Sequence, residues 1–227
     1  MPIDLHSTEQ LRYFIRLNAS AAGETSQDLA PLLVQLAGES NADGVVIYRF
    51  DVGNSEFTAI AAQSVVEPRI PNLGVTLGVE GSAWLRRSRE PFYVTPASDS
   101  RFANLPEWMQ YGFRRLALIP LRAGDTLLGF VTLGKQKDEA FEGHEVRGAV
   151  RIARVAAAVL ERDALQVLLK ERKVVERAKG ILQQRRRLSE ESAYIFLRET
   201  SRRLRLPMVE VARDVIQSAA FRNTGAA

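Results

Sequence analysis

The apolar positions in the first half of the chain follow two different spacings. In residues 26–40 leucines recur every three or four positions, which predicts an amphipathic helix. Residues 44–50 and 56–64 are instead runs rich in β-forming side chains, joined by DVGNS, a segment typical of a hairpin turn. We therefore predict a helix followed by two antiparallel strands.

A second strand pair is predicted further along the chain. Residues 116–121 and 127–133 are apolar and flank RAGDT, whose glycine suits the positive φ of a hairpin loop. The stretch between the two pairs, residues 65–113, mixes proline and glycine with short apolar patches, which favours long loops and small helices. A new helix begins at FEGHEV, residues 141–146.

From residue 143 to about 185 the chain has no proline and no cluster of turn-forming residues. A helix of this length extends about 65 Å at roughly 1.5 Å per residue, which is too long for the preceding domain alone to cover. Its apolar side chains recur at alternating spacings of four and three, like the a and d positions of a coiled coil. This predicted dimer seam consists of Ala157, Leu160, Ala164, Val167, Val174, Ala178 and Ile181.

The seam predicts a homodimer held by a parallel coiled coil. The alternative is that the same stripe packs on the chain's own sheet or terminal helices. A glutamate in the stripe, Glu171, would weaken the pairing locally or set its register.

Two shorter helices are predicted after the long one. Ser189 is a suitable N-cap, and Glu190 and Glu191 follow in the first turn, where the helix dipole favours acidic side chains. Pro207 suits the first turn of the next helix. Together with the end of the long helix they form a predicted three-helix module, in which Gly180 allows a close helix approach or, alternatively, a local kink.

Charge is distributed unevenly along the chain. Residues 161–227 hold 15 Lys and Arg against 9 Asp and Glu, a net charge of +6, whereas residues 1–160 have a net charge of −2. A basic segment beside a near-neutral domain indicates a nucleic-acid or acidic-surface partner.

Several classes of function are excluded by what the sequence lacks. Cysteine is absent, which rules out disulfides, thiolate metal sites and cysteine nucleophiles. The two histidines, His6 and His144, are far apart, so we expect no metal site. No catalytic constellation is found, so we expect no enzymatic activity. Without a long apolar run or a signal-peptide pattern, we expect a cytoplasmic protein that does not contact membranes.

An aromatic and several arginines are predicted to share the exposed side of the helix that starts near Ser189. Arg198, Arg202 and Arg205 follow one another at i, i+4 and i+7, and Tyr194 precedes Arg198 by one helical turn. Guanidinium groups bind phosphates and base edges, and a tyrosine ring stacks on an unpaired base. The combination favours RNA loops over duplex DNA. The other cations predicted to face outward are Lys179, Arg185, Arg186, Arg187 and Arg203.

The order helix, strand pair, loop-rich middle, strand pair, helix resembles the GAF domain, a mixed α/β sensor module. The segments GVTLGVEGSAWLRRSREPFYVTPASDSRF and RRLALIPLRAGDTLLGFVTLGKQKDEAFEGHEV carry the resemblance. It implies an antiparallel sheet flanked by helices, acting as a sensor or a dimerisation scaffold. No cofactor is assigned, and a small-molecule ligand stays unidentified. The middle aromatics either line a pocket or belong to the core; they are Trp84, Phe92, Trp108, Tyr111 and Phe113.

The last third, VVERAKGILQQRRRLSEESAYIFLRETSRRLRLPMVEVARDVIQSA, resembles an ANTAR domain, the output module of bacterial transcription antiterminators. The family pattern is matched at Ala178, Lys179, Gly180, Leu182, Leu188, Ser189, Ala193, Tyr194, Leu197, Arg198, Val211 and Ala212. The resemblance implies binding of tandem hexaloop hairpins in a leader transcript. Gln183 and the arginine run 185–187 depart from the common pattern.

The residues that we expect to bind RNA are Lys179, Arg186, Ser189, Ala193, Tyr194, Arg198, Arg202 and Arg203. For some of them a structural role is the alternative: Ala193 suits close packing, and the arginine run suits a solvated helix end. Two other functions stay open, a DNA-binding transcription regulator and a ligand-binding GAF module whose basic tail meets a protein partner.

The chain as a whole is predicted to be an α+β protein. Its expected parts are a helical N-terminal segment at 1–24, a GAF domain at 25–145, a coiled-coil linker helix at 146–169 and an ANTAR domain at 170–222.

Overall fold

A computed structural model describes residues 14–15, 23–51, 56–64, 79–94, 108 and 111–224. The chain divides into two compact units, Met1–Arg162 and Asp163–Ala227. The strands are β1 (Phe14–Ile15), β2 (Gly44–Asp51), β3 (Glu56–Ser64), β4 (Phe92–Val94), β5 (Arg115–Ala123) and β6 (Thr126–Lys135). The helices are α1 (Gly23–Ser40), α2 (Val79–Arg87), α3 (Gly143–Arg186), α4 (Glu190–Leu204) and α5 (Met208–Thr224).

The first unit is built on one antiparallel sheet with strand order β1-β3-β2-β6-β5-β4. Tyr48 of β2 lies opposite Ala59 of β3 and Phe130 of β6. The two predicted strand pairs are therefore neighbours in one sheet, and the predicted α+β fold class is confirmed. In the hairpin between β5 and β6, Gly124 has a φ of +55°, as its place in the predicted loop requires.

Helices α1 and the first part of α3 cover one face of the sheet. Leu33 of α1 and Ala153 of α3 are buried in the same cluster as Val45 and Val131 of the sheet. This is why the apolar stripe in residues 26–40 exists: it covers the central strands.

An aromatic cluster lies on the sheet face opposite α1. Tyr48 stacks on Phe130 with ring centroids 4.6 Å apart. Phe113 packs directly over Gly44 and Gly134, where an added Cβ on either glycine would come within 2.6 Å of its ring. Of the five middle aromatics, Trp108 and Phe113 are buried in this cluster, and Trp84, Phe92 and Tyr111 are partly buried and pack against it.

A buried ion pair joins the end of β6 to the start of α3. Lys135 and Glu145 are both under a tenth exposed, and the Lys135 Nζ donates to the two Glu145 carboxylate oxygens at 2.8 and 2.7 Å. The backbone N–H of Glu142, which precedes α3, also donates to Glu145 at 2.7 Å. The contact therefore also caps the helix.

The second unit is a three-helix module made of the last part of α3, α4 and α5. Its core contains Ala178 and Leu182 of α3, Ala193 and Leu197 of α4, and Ala212 of α5, together with Val211. Two turns separate the helices. Arg187 follows α3 with a φ of +54°, and Arg205 caps α4 with a φ of +55°, so each residue reverses the chain in the left-handed region.

Only part of the predicted N-terminal helical segment lies within the described residues. Phe14–Ile15 pair with Gln63 and Ala62 of β3 as a strand, and α1 begins at Gly23.

Candidate nucleic-acid interface

Tyr194, Arg198 and Arg202 lie on successive turns of α4 and are all exposed to solvent. We call this set the α4 face. Their side chains make no hydrogen bond or ion pair with other residues that the structure describes. The tyrosine ring, 40% exposed, stands one turn before the first guanidinium. The three side chains therefore lie on one exposed side of α4, as their spacing predicts.

Arg203 is not part of the α4 face. At 3.6 residues per turn it lies about 140° around the helix from Arg198 and about 100° from Arg202. It is exposed, but it points to a different side of α4.

Lys179 is held inside the second unit. Its Nζ donates to Glu176 at 2.9 Å and to Glu190 at 2.8 Å, and the residue is only 8% exposed. The hydrogen bond to Glu190, followed by that to Glu176, raises the pKa of the Lys179 ammonium above its usual range. We call Lys179, Glu176 and Glu190 the clasp. In this arrangement the ammonium is engaged by two carboxylates of its own unit.

The arginine run after α3 separates into three different roles. Arg185 donates a hydrogen bond of 2.7 Å to the carbonyl of Ala219 in α5. The Arg186 guanidinium lies 4.6 Å from the centre of the Phe196 ring in α4, a cation–π contact. Arg187 takes the left-handed conformation at the end of α3 and is exposed.

Ser189 and Ala193 have structural positions in the second unit. The Ser189 Oγ accepts from the backbone N–H of Ser192 at 3.1 Å and so caps α4. Ala193 is fully buried in the core, which leaves no room for a base to reach it in this arrangement. The packing interpretation therefore describes Ala193 in the folded unit.

Gly180 has no close neighbour. An added Cβ would meet no atom of the described residues within 4 Å. The expected close helix approach at this residue is therefore not present, and α3 continues through it to Arg186.

The structure gives most residues of the predicted dimer seam a neighbour within their own unit. Ala157 and Leu160 are buried against the sheet, Ala178 is buried in the second core, and Val174 packs against it. Ile181 is partly buried, whereas Ala164 and Val167 are exposed. The alternative interpretation, packing within the chain, thus accounts for both ends of the predicted dimer seam. The reason is physical: a repeat of three and four marks one helix side, whatever covers it.

Another side of α3 carries apolar side chains that the described residues leave exposed. Val155, Ala158, Leu165 and Leu169 are exposed and separated by three, seven and four residues. We call them the α3 outer stripe. They lie about half a turn around the helix from Ala157 and Leu160. Sequence reasoning missed this stripe because its middle position is Arg162, which pairs with Asp28 of α1.

Comparisons with known families agree with the two units. The family model of the GAF domain matches residues 25–160, and that of the ANTAR domain matches residues 163–216. The chain belongs to the GAF-ANTAR regulators. Both matched domains have regulatory and binding roles, so this GAF-ANTAR protein is a regulator with a sensor module. The family resemblance predicted from the sequence is confirmed.

Solved GAF structures share the fold of the first unit. The blue-light absorbing form of the Thermosynechococcus elongatus PixJ GAF domain has a TM-score of 0.54 and 18% identity, covering 67% of this chain and 93% of that chain. A GAF domain/HD domain protein from Geobacter sulfurreducens has a TM-score of 0.53 and 15% identity, covering 65% and 99%. The GAF domain of a Coxiella burnetii phosphoenolpyruvate-protein phosphotransferase has a TM-score of 0.53 and 20% identity, covering 65% and 89%.

These identities are low, so the likeness concerns the fold alone. A comparison with curated proteins gives no match. Among the helices that the structure describes, none has a segment long and apolar enough to cross a bilayer.

Proposed function

We propose that this GAF-ANTAR protein is a transcription antitermination regulator that binds paired hairpin loops of nascent RNA through the α4 face. Binding would stabilise an antiterminator arrangement of the leader transcript, and the GAF domain would act as its sensor. Such a protein works in the cytoplasm, where leader transcripts are made.

The observation that carries the proposal is the free state of the α4 face. Arg198 and Arg202 have no carboxylate partner among the described residues, whereas Lys179 and Arg186 are engaged inside the unit. Two guanidiniums and an aromatic ring on one helix side provide phosphate contacts and a stacking platform for an unpaired base.

The burial of α5 argues against duplex DNA as the target. A helix-turn-helix protein places an exposed recognition helix in the major groove. In α5, Val211 and Ala212 are buried, and Val215 and Ile216 pack against the same core. Of the two terminal helices, α4 has more exposed cations, with Arg198, Arg202 and Arg203 against Arg213 among the described side chains of α5. The tyrosine of α4 suits a loop base better than a base-pair edge.

Binding measured on matched nucleic acids tests the proposal. Gel shifts of the full chain are made with a two-hairpin leader RNA, with the same RNA carrying unpaired linkers in place of its loops, and with duplex DNA of equal length. We expect a salt-dependent complex with the two-hairpin RNA only. Equal binding to all three, or preference for the duplex, would contradict the proposed target.

We further propose that the regulator is a homodimer in which two copies of α3 meet through the α3 outer stripe. The support is the exposure of Val155, Leu165 and Leu169, each more than half exposed, at spacings that fit the a and d positions of a heptad. Large apolar side chains in contiguous exposed patches usually mark an interface. A dimer would also bring two ANTAR modules to a transcript with two hairpins.

A further inference from the structure

We infer that Lys179 and Glu190 are positioning residues for RNA binding, so that an acidic side chain at residue 190 is required for affinity. The inference rests on the proposed function and adds to it. It assigns Lys179 a role other than the direct RNA contact that the sequence suggests.

The clasp joins one ammonium to two carboxylates on two helices. Lys179 lies on α3, and its side chain is 11% exposed, while those of Glu176 and Glu190 are 54% and 72% exposed. The ammonium is thus engaged by two carboxylates that are themselves more than half exposed. The Glu190 contact joins two helices, whereas the Glu176 contact lies within α3.

Glu190 lies at the start of α4. It is the first residue of the helix, directly after the cap Ser189. Tyr194 follows one turn later and Arg198 two turns later, on a short helix whose inner side is fixed by Ala193 and Leu197. Fastening residue 190 to α3 therefore sets the direction in which the α4 face starts. Without the clasp, the first turn is held only by the cap and the core.

Two neighbouring glutamates in the first turn of α4 differ in their ion pairing. Glu190 and Glu191 carry the same charge and both lie exposed in the first turn of α4. Glu190 is paired with Lys179, whereas Glu191 has no ion-pair partner among the described residues. A carboxylate near an RNA phosphate repels it, so by charge alone the loss of either glutamate should strengthen binding. If Glu190 positions the α4 face, its loss should instead weaken RNA binding.

The test measures binding of a two-hairpin leader RNA to the full chain carrying Glu190→Gln or, as the matched control, Glu191→Gln. We expect Glu190→Gln to weaken binding about two- to fivefold, because the amide still accepts a hydrogen bond from Lys179 but the charge attraction between the two helices is lost. We expect Glu191→Gln to bind equally well or more tightly. The far-ultraviolet circular dichroism of both variants is recorded to show that each is folded.

A second pair of variants separates positioning from phosphate contact. Lys179→Met should weaken binding while leaving the slope of log Kd against log salt concentration unchanged, and Lys179→Arg should restore most of the affinity. A residue that contacts a phosphate would lower that slope by roughly 0.7 to 0.9 when removed.

The outcomes distinguish failure of the positioning role from failure of RNA binding. If Glu190→Gln strengthens binding as Glu191→Gln does, or if Lys179→Met lowers the salt slope, the positioning role is overturned while RNA binding stands. If the wild-type chain does not bind the two-hairpin RNA, the proposed function fails and the inference fails with it.

Discussion

Tyr194 and Arg198 are one turn apart on α4, exposed, and without a described partner that would compete with a ligand. At the residue scale this makes them the strongest candidates for contact with RNA. Arg202 extends the same side by one more turn. Arg203 is equally exposed and carries the same charge, but it lies on another side of the helix, which makes it a natural control.

We expect Tyr194→Ala and Arg198→Ala each to weaken binding to a two-hairpin RNA by about 1 to 3 kcal/mol, the range for one stacked base or one lost guanidinium contact. Isothermal titration calorimetry measures the loss. Arg203→Ala removes the same charge from a different side and should cost less than half as much. Equal losses for Arg198→Ala and Arg203→Ala would mean that only net charge matters.

Ser189 is expected to affect stability rather than RNA contact. Replacing an N-cap serine by alanine costs about 1 kcal/mol of helix stability, so Ser189→Ala should lower the unfolding free energy of the second unit by that amount. Urea unfolding is followed by circular dichroism, while the fluorescence of Trp84 and Trp108 reports on the first unit alone. A large loss of RNA affinity without a loss of stability would contradict the capping role.

The charged residues of the second unit show what can be predicted from the sequence and what cannot. The spacing of Tyr194, Arg198 and Arg202 is enough to place them on one side of a helix. The positions of Lys179 and Arg186 also indicate cations near a turn, but not their partners. Partners depend on how three helices pack, and this packing is not encoded in local spacing.

At the scale of elements, the long helix is the one that local sequence describes best. The predicted span from 143 to about 185 compares with the observed Gly143–Arg186, because the segment contains only helix formers. The β-hairpins are equally clear, since their turns carry glycine or asparagine between β-forming runs. What covers each side of α3 is not visible locally, because a helix packed on its own sheet and one packed on a partner show the same repeat.

Gly180 provides a test of α3 itself. Because a methyl group there would meet open space and the backbone is helical, Gly180→Ala should raise the unfolding free energy of the second unit by about 0.5 to 1 kcal/mol. Circular dichroism during thermal unfolding measures the change. Destabilisation would show that the glycine serves a close approach absent from this structure.

The ion pair between Lys135 and Glu145 provides a test of the join between the sheet and α3. Removing one partner of a buried pair leaves the other unpaired, so Glu145→Gln should lower the unfolding free energy of the first unit by about 3 kcal/mol near neutral pH. Tryptophan fluorescence in urea measures it. A loss below about 0.5 kcal/mol would contradict the structural role of the pair.

The difference in unfolding free energy between the wild type and Glu145→Gln should change with pH in a definite direction. Burial alone would raise the pKa of Glu145, but the hydrogen bonds from Lys135 and from the Glu142 backbone outweigh it and lower the pKa below the usual 4.5. A folded-state pKa below the unfolded one stabilises the protein above the unfolded value. The advantage of the wild type over Glu145→Gln should therefore be full at neutral pH and shrink as the pH falls through the acidic range below 4.5.

At the scale of the whole molecule, the proposal concerns how two copies meet. Both ends of the predicted seam are buried within single units, whereas its middle, with Val167, is exposed like the α3 outer stripe. We propose that a second copy covers the outer stripe. The proposed dimer therefore keeps the partner predicted from the sequence but uses another side of the same helix.

Two aspartates placed on the stripe should produce monomers. Leu165→Asp with Leu169→Asp puts charge into the proposed interface. Lys170→Asp makes the same change in net charge on another side of the helix, about 100° from Leu169. Analytical ultracentrifugation should show monomers for the double variant and dimers for Lys170→Asp. If Val167→Asp yields monomers and the stripe variant does not, the seam lies on the side first predicted.

Locating the contact on the protein shows directly whether the α4 face binds RNA. A two-hairpin leader RNA with thiouridine in its loops is crosslinked by light to the full chain, and mass spectrometry identifies the crosslinked peptide. We expect the crosslink within α4, at Tyr194 or the residues beside Arg198. A crosslink confined to α5 or to the first unit would contradict the account.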